Sequence, residues 1–242
     1  MKKLVLSLIA FVFVSSSCSR DDASGVITPS SILIKKIVSV SNGNSTTTLY
    51  NYDGNKLTQI IFGNYILNFT YSDNNIVKIE RLDNNFLEFE TFIEYDVQQR
   101  VSSELFVYYN LDYSEKTLYT YNNDNTVSFQ KYFGDTFSQS NLGENGIIYN
   151  DSNNETYKVE QFIQGSLSNK IIWSYDNKNN PLKNVMGYNK QPLIFGKFFN
   201  NITTDNYDSN NEIITNSTFE YTYDSNEFPI NCTQFFYEDN NL

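Results

Sequence analysis

The chain has no histidine. Zinc sites of the usual kind and histidine-based triads would therefore need unusual ligands or bases. Cysteine occurs only twice, at Cys18 and Cys232. Basic residues are few: 17 Lys+Arg stand against 28 Asp+Glu, a formal net charge of −11. So acidic a surface repels phosphates and anionic headgroups, which argues against nucleic acid as a partner. Proline (4), glycine (10) and tryptophan (1) are sparse. No phosphate loop and no dinucleotide fingerprint is present. Long apolar runs are missing beyond Leu4 to Val14, and that run is too short for a span of about 20 residues. This argues against an integral membrane domain.

The first residues read as an export address. Met1-Lys2-Lys3 is basic, Leu4 to Val14 is apolar apart from Ser7, and Ser15-Ser16-Ser17-Cys18 follows. These are the three regions of a secretory signal. Small residues immediately before a cysteine resemble a bacterial lipobox, although Ser15 stands where leucine is commoner. The resemblance implies cleavage before Cys18, diacylglycerol on its thiol and acylation of the new amine. Several acyl chains anchor stably where a single one holds only weakly. Asp21-Asp22 resembles the surface-export signal of lipoproteins from Bacteroidota-type bacteria, which implies the outer face of the outer membrane. On this reading residues 1–17 are the signal, 18–31 a lipidated flexible tether, and 32–242 the domain. Removing Lys2 and Lys3 leaves 15 basic residues against 28 acidic ones, or −13. With Cys18 lipidated, Cys232 has no intramolecular partner and is read as a buried structural thiol.

What fills the domain is a recurring phrase: aromatic, any residue, aromatic, an Asp/Asn-rich turn, then an apolar residue. It appears as Tyr50-Asn51-Tyr52-Asp53-Gly54-Asn55-Lys56-Leu57 and as Phe69-Thr70-Tyr71-Ser72-Asp73-Asn74-Asn75-Ile76. Copies follow at Ile93-Glu94-Tyr95-Asp96, Tyr119-Thr120-Tyr121-Asn122, Trp173-Ser174-Tyr175-Asp176 and Tyr221-Thr222-Tyr223-Asp224, with a degenerate one at Tyr149-Asn150-Asp151. The spacing is roughly 19 to 28 residues, that of a repeat architecture. Aromatics at i and i+2 share one strand face. The Asp or Asn caps a turn, and Asn or Gly tolerates a left-handed backbone. Each phrase is thus a hairpin corner. Between corners, Tyr65, Leu67, Phe69 and Tyr71 share a face opposite Asn68 and Thr70, the pattern of a sheet with one wet side. The predicted fold is all-β: a repetitive antiparallel meander forming a twisted or curled sheet with little helix. Leu105 to Tyr109 is apolar on both faces and should be covered twice or lie in a crease. Residues 183–212 interrupt the rhythm and predict a loop with a short helix that packs on an open end of the sheet.

The Tyr-x-Tyr-Asp phrase resembles the YD (Rhs-type) repeat, and the chain is similar to Bacteroidota lipoproteins carrying divergent YD-like repeats over residues from about 45 to 237. In large Rhs proteins such repeats spiral into a shell around a toxin. This chain is too short for a shell, so the resemblance implies a fold more than an activity.

No catalytic constellation stands out. Glu88 and Glu90 are about 7 Å apart on one strand by the strand rise, a spacing a glycosidase pair could use, but from one strand rather than two facing elements. Asp151 to Glu155 and Asp208 to Glu212 resemble the start of a calcium loop without its Gly or final Glu. Turn capping explains the same residues, so no metal or cofactor is expected. Tyr108-Tyr109 and Phe198-Phe199 are the candidates for an exposed aromatic ligand surface. The expected function is that of a surface lipoprotein anchored at Cys18, acting as a non-enzymatic binding or scaffold module for a glycan or surface protein. The alternative is a polysaccharide-acting hydrolase or an accessory glycan-binding protein.

Overall fold

The computed structural model describes residues 9–13, 32–192 and 196–238. Cys18, the tether 18–31, and the leader outside residues 9–13 lie beyond the described residues. The strands are β1 (Ile9–Phe13), β2 (Lys36–Ser41), β3 (Asn44–Asp53), β4 (Lys56–Phe62), β5 (Tyr65–Ser72), β6 (Asn75–Asp83), β7 (Phe86–Tyr95) and β8 (Val101–Tyr108). They continue as β9 (Tyr113–Tyr121), β10 (Thr126–Gly134), β11 (Gln139–Asn150), β12 (Thr156–Ile163), β13 (Ser166–Asn179), β14 (Phe199–Tyr207), β15 (Ile213–Tyr223) and β16 (Pro229–Glu238). β2 to β16 form one antiparallel meander of fifteen strands, each paired with its neighbours in sequence. β1 pairs with both β16 and β2 and closes the curl into a barrel. The expected all-β meander is the fold observed. The first strand of the domain begins at Lys36.

The two ends of the barrel use different turn chemistry. At one end lie most of the Asp-led corners, while Asp135 and Asp208 each cap a corner at the other. Asp96, Asp151 and Asp224 each accept two backbone N–H groups through Oδ1, at 2.8 to 2.9 Å. The third residue after each Asp is left-handed: Gln99, Asn154 and Glu227. At the other end, two-residue corners at Asn42-Gly43, Asn84-Asn85 and Gln164-Gly165 have positive φ at both positions, the twist-matched hairpin turn.

The curl has a periodic cause. At four hairpins of this end the pairing register shifts beside the second aromatic of the phrase, between Asn51 and Tyr52, Thr70 and Tyr71, Glu94 and Tyr95, and Thr222 and Tyr223, with further shifts after Tyr149 and, where β13 meets β14, at Tyr175. One extra residue on the returning strand bends the sheet and increases its twist.

Those aromatics point inward and form the core. Ile76, Ile93, Val101, Tyr119, Phe129, Ile148 and Trp173 are buried together, with Tyr71, Tyr95, Tyr121 and Tyr175 packed against them. The inner tyrosines also tie successive hairpins. Tyr95, Tyr121, Tyr175 and Tyr221 donate their hydroxyls to the carbonyls of Ile76, Val101, Thr156 and Asn201, at 2.7, 3.1, 2.5 and 2.9 Å. Each bond reaches 19 or 20 residues back, to the start of the previous returning strand. A buried carbonyl is satisfied and two repeats are joined by one side chain. Gly146 makes room for this core: a Cβ there would lie 2.3 Å from the Phe129 ring. The doubly apolar strand behaves as expected. Phe106 faces in and packs on Phe89 with centroids 4.8 Å apart, while Val107 on the other face is also buried. Cys232 is buried, and burial pushes its thiol up to about 11, as expected of an inert structural cysteine.

Candidate ligand cleft at the plugged end

Between β13 and β14 the chain leaves the wall. Residues 180–192 and 196–198 cross the Asp-led end as a plug whose described residues contain one 3-10 turn, Tyr188–Lys190. The predicted interruption at 183–212 is therefore real but misplaced in extent. Residues 199–207 are β14, and 208–212 form another Asp-led turn, capped by Asp208.

Plug contacts reach most of the circumference. The Asn184 side chain donates to the carbonyl of Ile32 (2.9 Å) and the Met186 amide to that of Asn55 (2.9 Å). Tyr71 donates to the Met186 carbonyl (3.2 Å), and Gln191 donates to the Tyr95 hydroxyl (3.2 Å). Val185 is buried beneath. Gly187 has φ +76°, and a Cβ there would meet the Asn74 carbonyl at 2.8 Å, so both backbone and space call for glycine. The strongest latch is Glu155. Its side chain is fully buried and accepts the amides of Lys197 (2.6 Å), Phe198 (2.9 Å) and Phe199 (3.3 Å). Charge-assisted bonds of this kind are stronger than neutral ones.

Two cavities flank the plug, and they differ in chemistry. One, of about 270 Å³, is largely apolar and lined by Ile34, Ile37, Pro181, Leu182, Phe219 and Cys232 among others. The other, of about 330 Å³, lies between the plug and the corners joining β7 to β8, β9 to β10 and β11 to β12. Its wall carries the amides Gln99, Asn122, Asn125, Asn150, Asn154 and Asn189 and the cations Arg100, Lys190 and Lys197. Among the described residues no carboxylate lines it.

The three cations are held differently. Arg100 pairs with Asp96 at 2.6 Å and lies over the Tyr121 ring at 4.2 Å. Lys190 donates to Asn75 Oδ1 at 2.5 Å. Lys197 is only 6% exposed, and its ammonium donates to the Asn154 carbonyl at 3.3 Å. Burial pulls Lys197 down to about 8, against the opposing fields of Glu155 and Asp151.

The residues singled out from sequence do not meet. Tyr108 ends β8 and Tyr109 opens the 3-10 turn Tyr109–Leu111, both at the two-residue-turn end. Phe198 and Phe199 sit at the plugged end and are half-buried. The two candidate aromatic pairs thus lie at opposite ends of the barrel. Tyr108 and Tyr109 instead donate to Glu88 (3.1 Å) and Glu90. Those carboxylates also pair with Arg81 (3.0 Å) and Lys78 (3.2 Å), so both are engaged in ion pairs. Asp151 and Asp208 spend their oxygens on turn amides, and among the described residues no group of three or more acidic or cysteine side chains could hold a metal ion. Glu155 and Lys197 were missed. The only signal for them was an Asp-x-x-x-Glu corner facing a Gly-Lys step after an irregular segment, which no periodicity links.

No family model matches the chain, and no curated relative does. Solved structures do. A porin-like protein from Bacteroides vulgatus superposes with a TM-score of 0.55 at 11% identity, covering 86% of this chain and 99% of that one. A porin-like protein from Bacteroides uniformis gives 0.39 at 8% identity, over 97% and 96%. The first of these shares the fold.

Proposed function

We propose that the chain is a lipoprotein of the outer membrane, held at the cell surface through Cys18, whose plugged barrel is a non-enzymatic binding module. The cleft beside the plug carries this reading: a formed, polar-walled cavity at one end of a rigid wall, at the low end of the size range of ligand sites. The barrel's likeness to porin-like proteins supports an outer-membrane setting. Its outer face supports hanging from the membrane rather than spanning it. Lys78, Glu90, Lys158, Glu160 and Glu220 stand on outward positions along β6, β7, β12 and β15, where a spanning barrel needs an apolar band and a midplane lysine costs about 2–4 kcal/mol. Cleavage before Cys18 would remove β1 and leave β2 and β16 as facing edges. The divergent YD-like repeat then serves as a wall-building unit.

The test has two arms. Labelled palmitate should enter the wild-type protein and not C18A, and the purified protein should bind members of a glycan and peptide array. Absence of label removes the anchor, and silence across the array removes the binding module.

A further inference from the structure

We infer that the cleft beside the plug is a site for an acidic saccharide of one or two rings. The inference rests on the binding-module reading and names its ligand. Three observations carry it. Among the described residues the wall holds three cations and no carboxylate, in a chain whose acidic residues outnumber its basic ones by 28 to 17. A neutral or cationic ligand would gain nothing from that inversion of local charge. Secondly, Lys197 is a buried ammonium on that wall with three donors and one acceptor, the Asn154 carbonyl at 3.3 Å. Buried donors of a charged group are costly to leave unmet. An anionic oxygen in the cleft would meet them. Thirdly, six amide side chains line the same space. An amide offers a donor and an acceptor together, which matches hydroxyl groups and not a bare inorganic anion. The volume, about 330 Å³, admits one or two sugar rings and no folded partner.

Division of labour follows. Arg100 already has Asp96, so it shapes the wall and fixes the Tyr121 ring. Lys190, tied only to the Asn75 amide oxygen, and Lys197 supply the charge for the ligand carboxylate. The plug carries both lysines, so ligand binding and plug docking support one another.

The experiment is calorimetric titration of the purified protein with galacturonate and its dimer, galactose, and inorganic phosphate. Expected are binding of the uronates, at least tenfold weaker binding of galactose and of phosphate, and at least a tenfold loss of uronate affinity in K190Q. K197M should lose more; its thermal unfolding is recorded alongside, and K190Q, at a half-exposed position, carries the test should K197M fail to fold. Equal affinity for galactose and galacturonate overturns the acidic class while the binding module stands. Phosphate binding as tight as the uronates overturns the saccharide. Uronate binding that K190Q leaves unchanged overturns the location. No binding by any of the probes overturns the inference, and the array described above then decides separately whether the binding module survives.

Discussion

The two ends of this barrel are built from the same strands and finished differently. At the plugged end, corners are capped by Asp, aromatics fill the bore, tyrosine hydroxyls bond backwards to carbonyls, and a loop seals what remains. At the other end two-residue turns alternate with longer corners, two of them capped by Asp135 and Asp208, and large apolar side chains stand in solvent at their tips: Phe137 is 93% exposed, Phe86 79% and Leu111 71%. The bore there is polar. Lys131 lies 3.4 Å from both Glu115 and Glu144, and burial raises the Glu104 carboxyl against the pull of Tyr119 and Lys131. Stability is therefore concentrated at one end, leaving the other free to vary.

The largest way to break this contrast is alkali. Burial raises the hydroxyls of Tyr50, Tyr71, Tyr95 and Tyr121, all at the plugged end, from 10.0 to about 12. The folded state then binds more protons than the unfolded chain between those values. The stability these groups contribute is whole below pH 10 and falls as pH rises toward 12. Lys197 works the other way, since a cation lowered to about 8 relieves its burial as pH rises from there toward 10.5, but it is one group against four. Unfolding before pH 12, coincident with tyrosinate absorbance, is expected. Titration near pH 10 with native circular dichroism would refute it.

Next comes the latch. Glu155→Ala strips the acceptor from three amides and should cost on the order of 3 kcal/mol or more. Hydrogen exchange should show 196–200 opening while the wall stays protected, and uniform protection would count against the latch. Tyr95→Phe and Tyr121→Phe each remove one backward bond, at about 1 kcal/mol apiece in denaturant unfolding. Their sum should exceed any hydroxyl deletion at the other end, such as Tyr108→Phe. The smallest effect is Phe137→Ser, expected within about 0.5 kcal/mol of wild type and seen only as improved solubility.

The sequence carried the wall clearly and the end structures poorly. Tyr-x-Tyr-Asp encodes a local event, an inward aromatic pair meeting a capped turn, and local events repeat in the text. Asp96, Asp151 and Asp224 all cap as read. The register shift beside Tyr52, Tyr71, Tyr95 and Tyr223 leaves no mark of its own, because an extra residue in a returning strand looks like any other. The cleft is less legible still. Lys197 and Asn154 are 43 residues apart, and Lys190 and Asn75 115 apart, brought together only once the sheet has curled. Tyr108-Tyr109 and Phe198-Phe199 stand out in the sequence as adjacent aromatics, a composition argument blind to which end of the barrel each strand reaches.

The plug also sets an order in time. Every wall contact from β2 to β16 joins strands adjacent in the chain, so the wall can grow hairpin by hairpin with little loop entropy to overcome. The plug's bonds span 42 to 152 residues and have no surface to form on until the hairpins from Asn55 to Glu155 are in place. A nascent barrel thus passes through an unsealed state with its aromatic bore exposed at that end. The plug is the step that ends this exposure, and the first that a destabilised chain would undo.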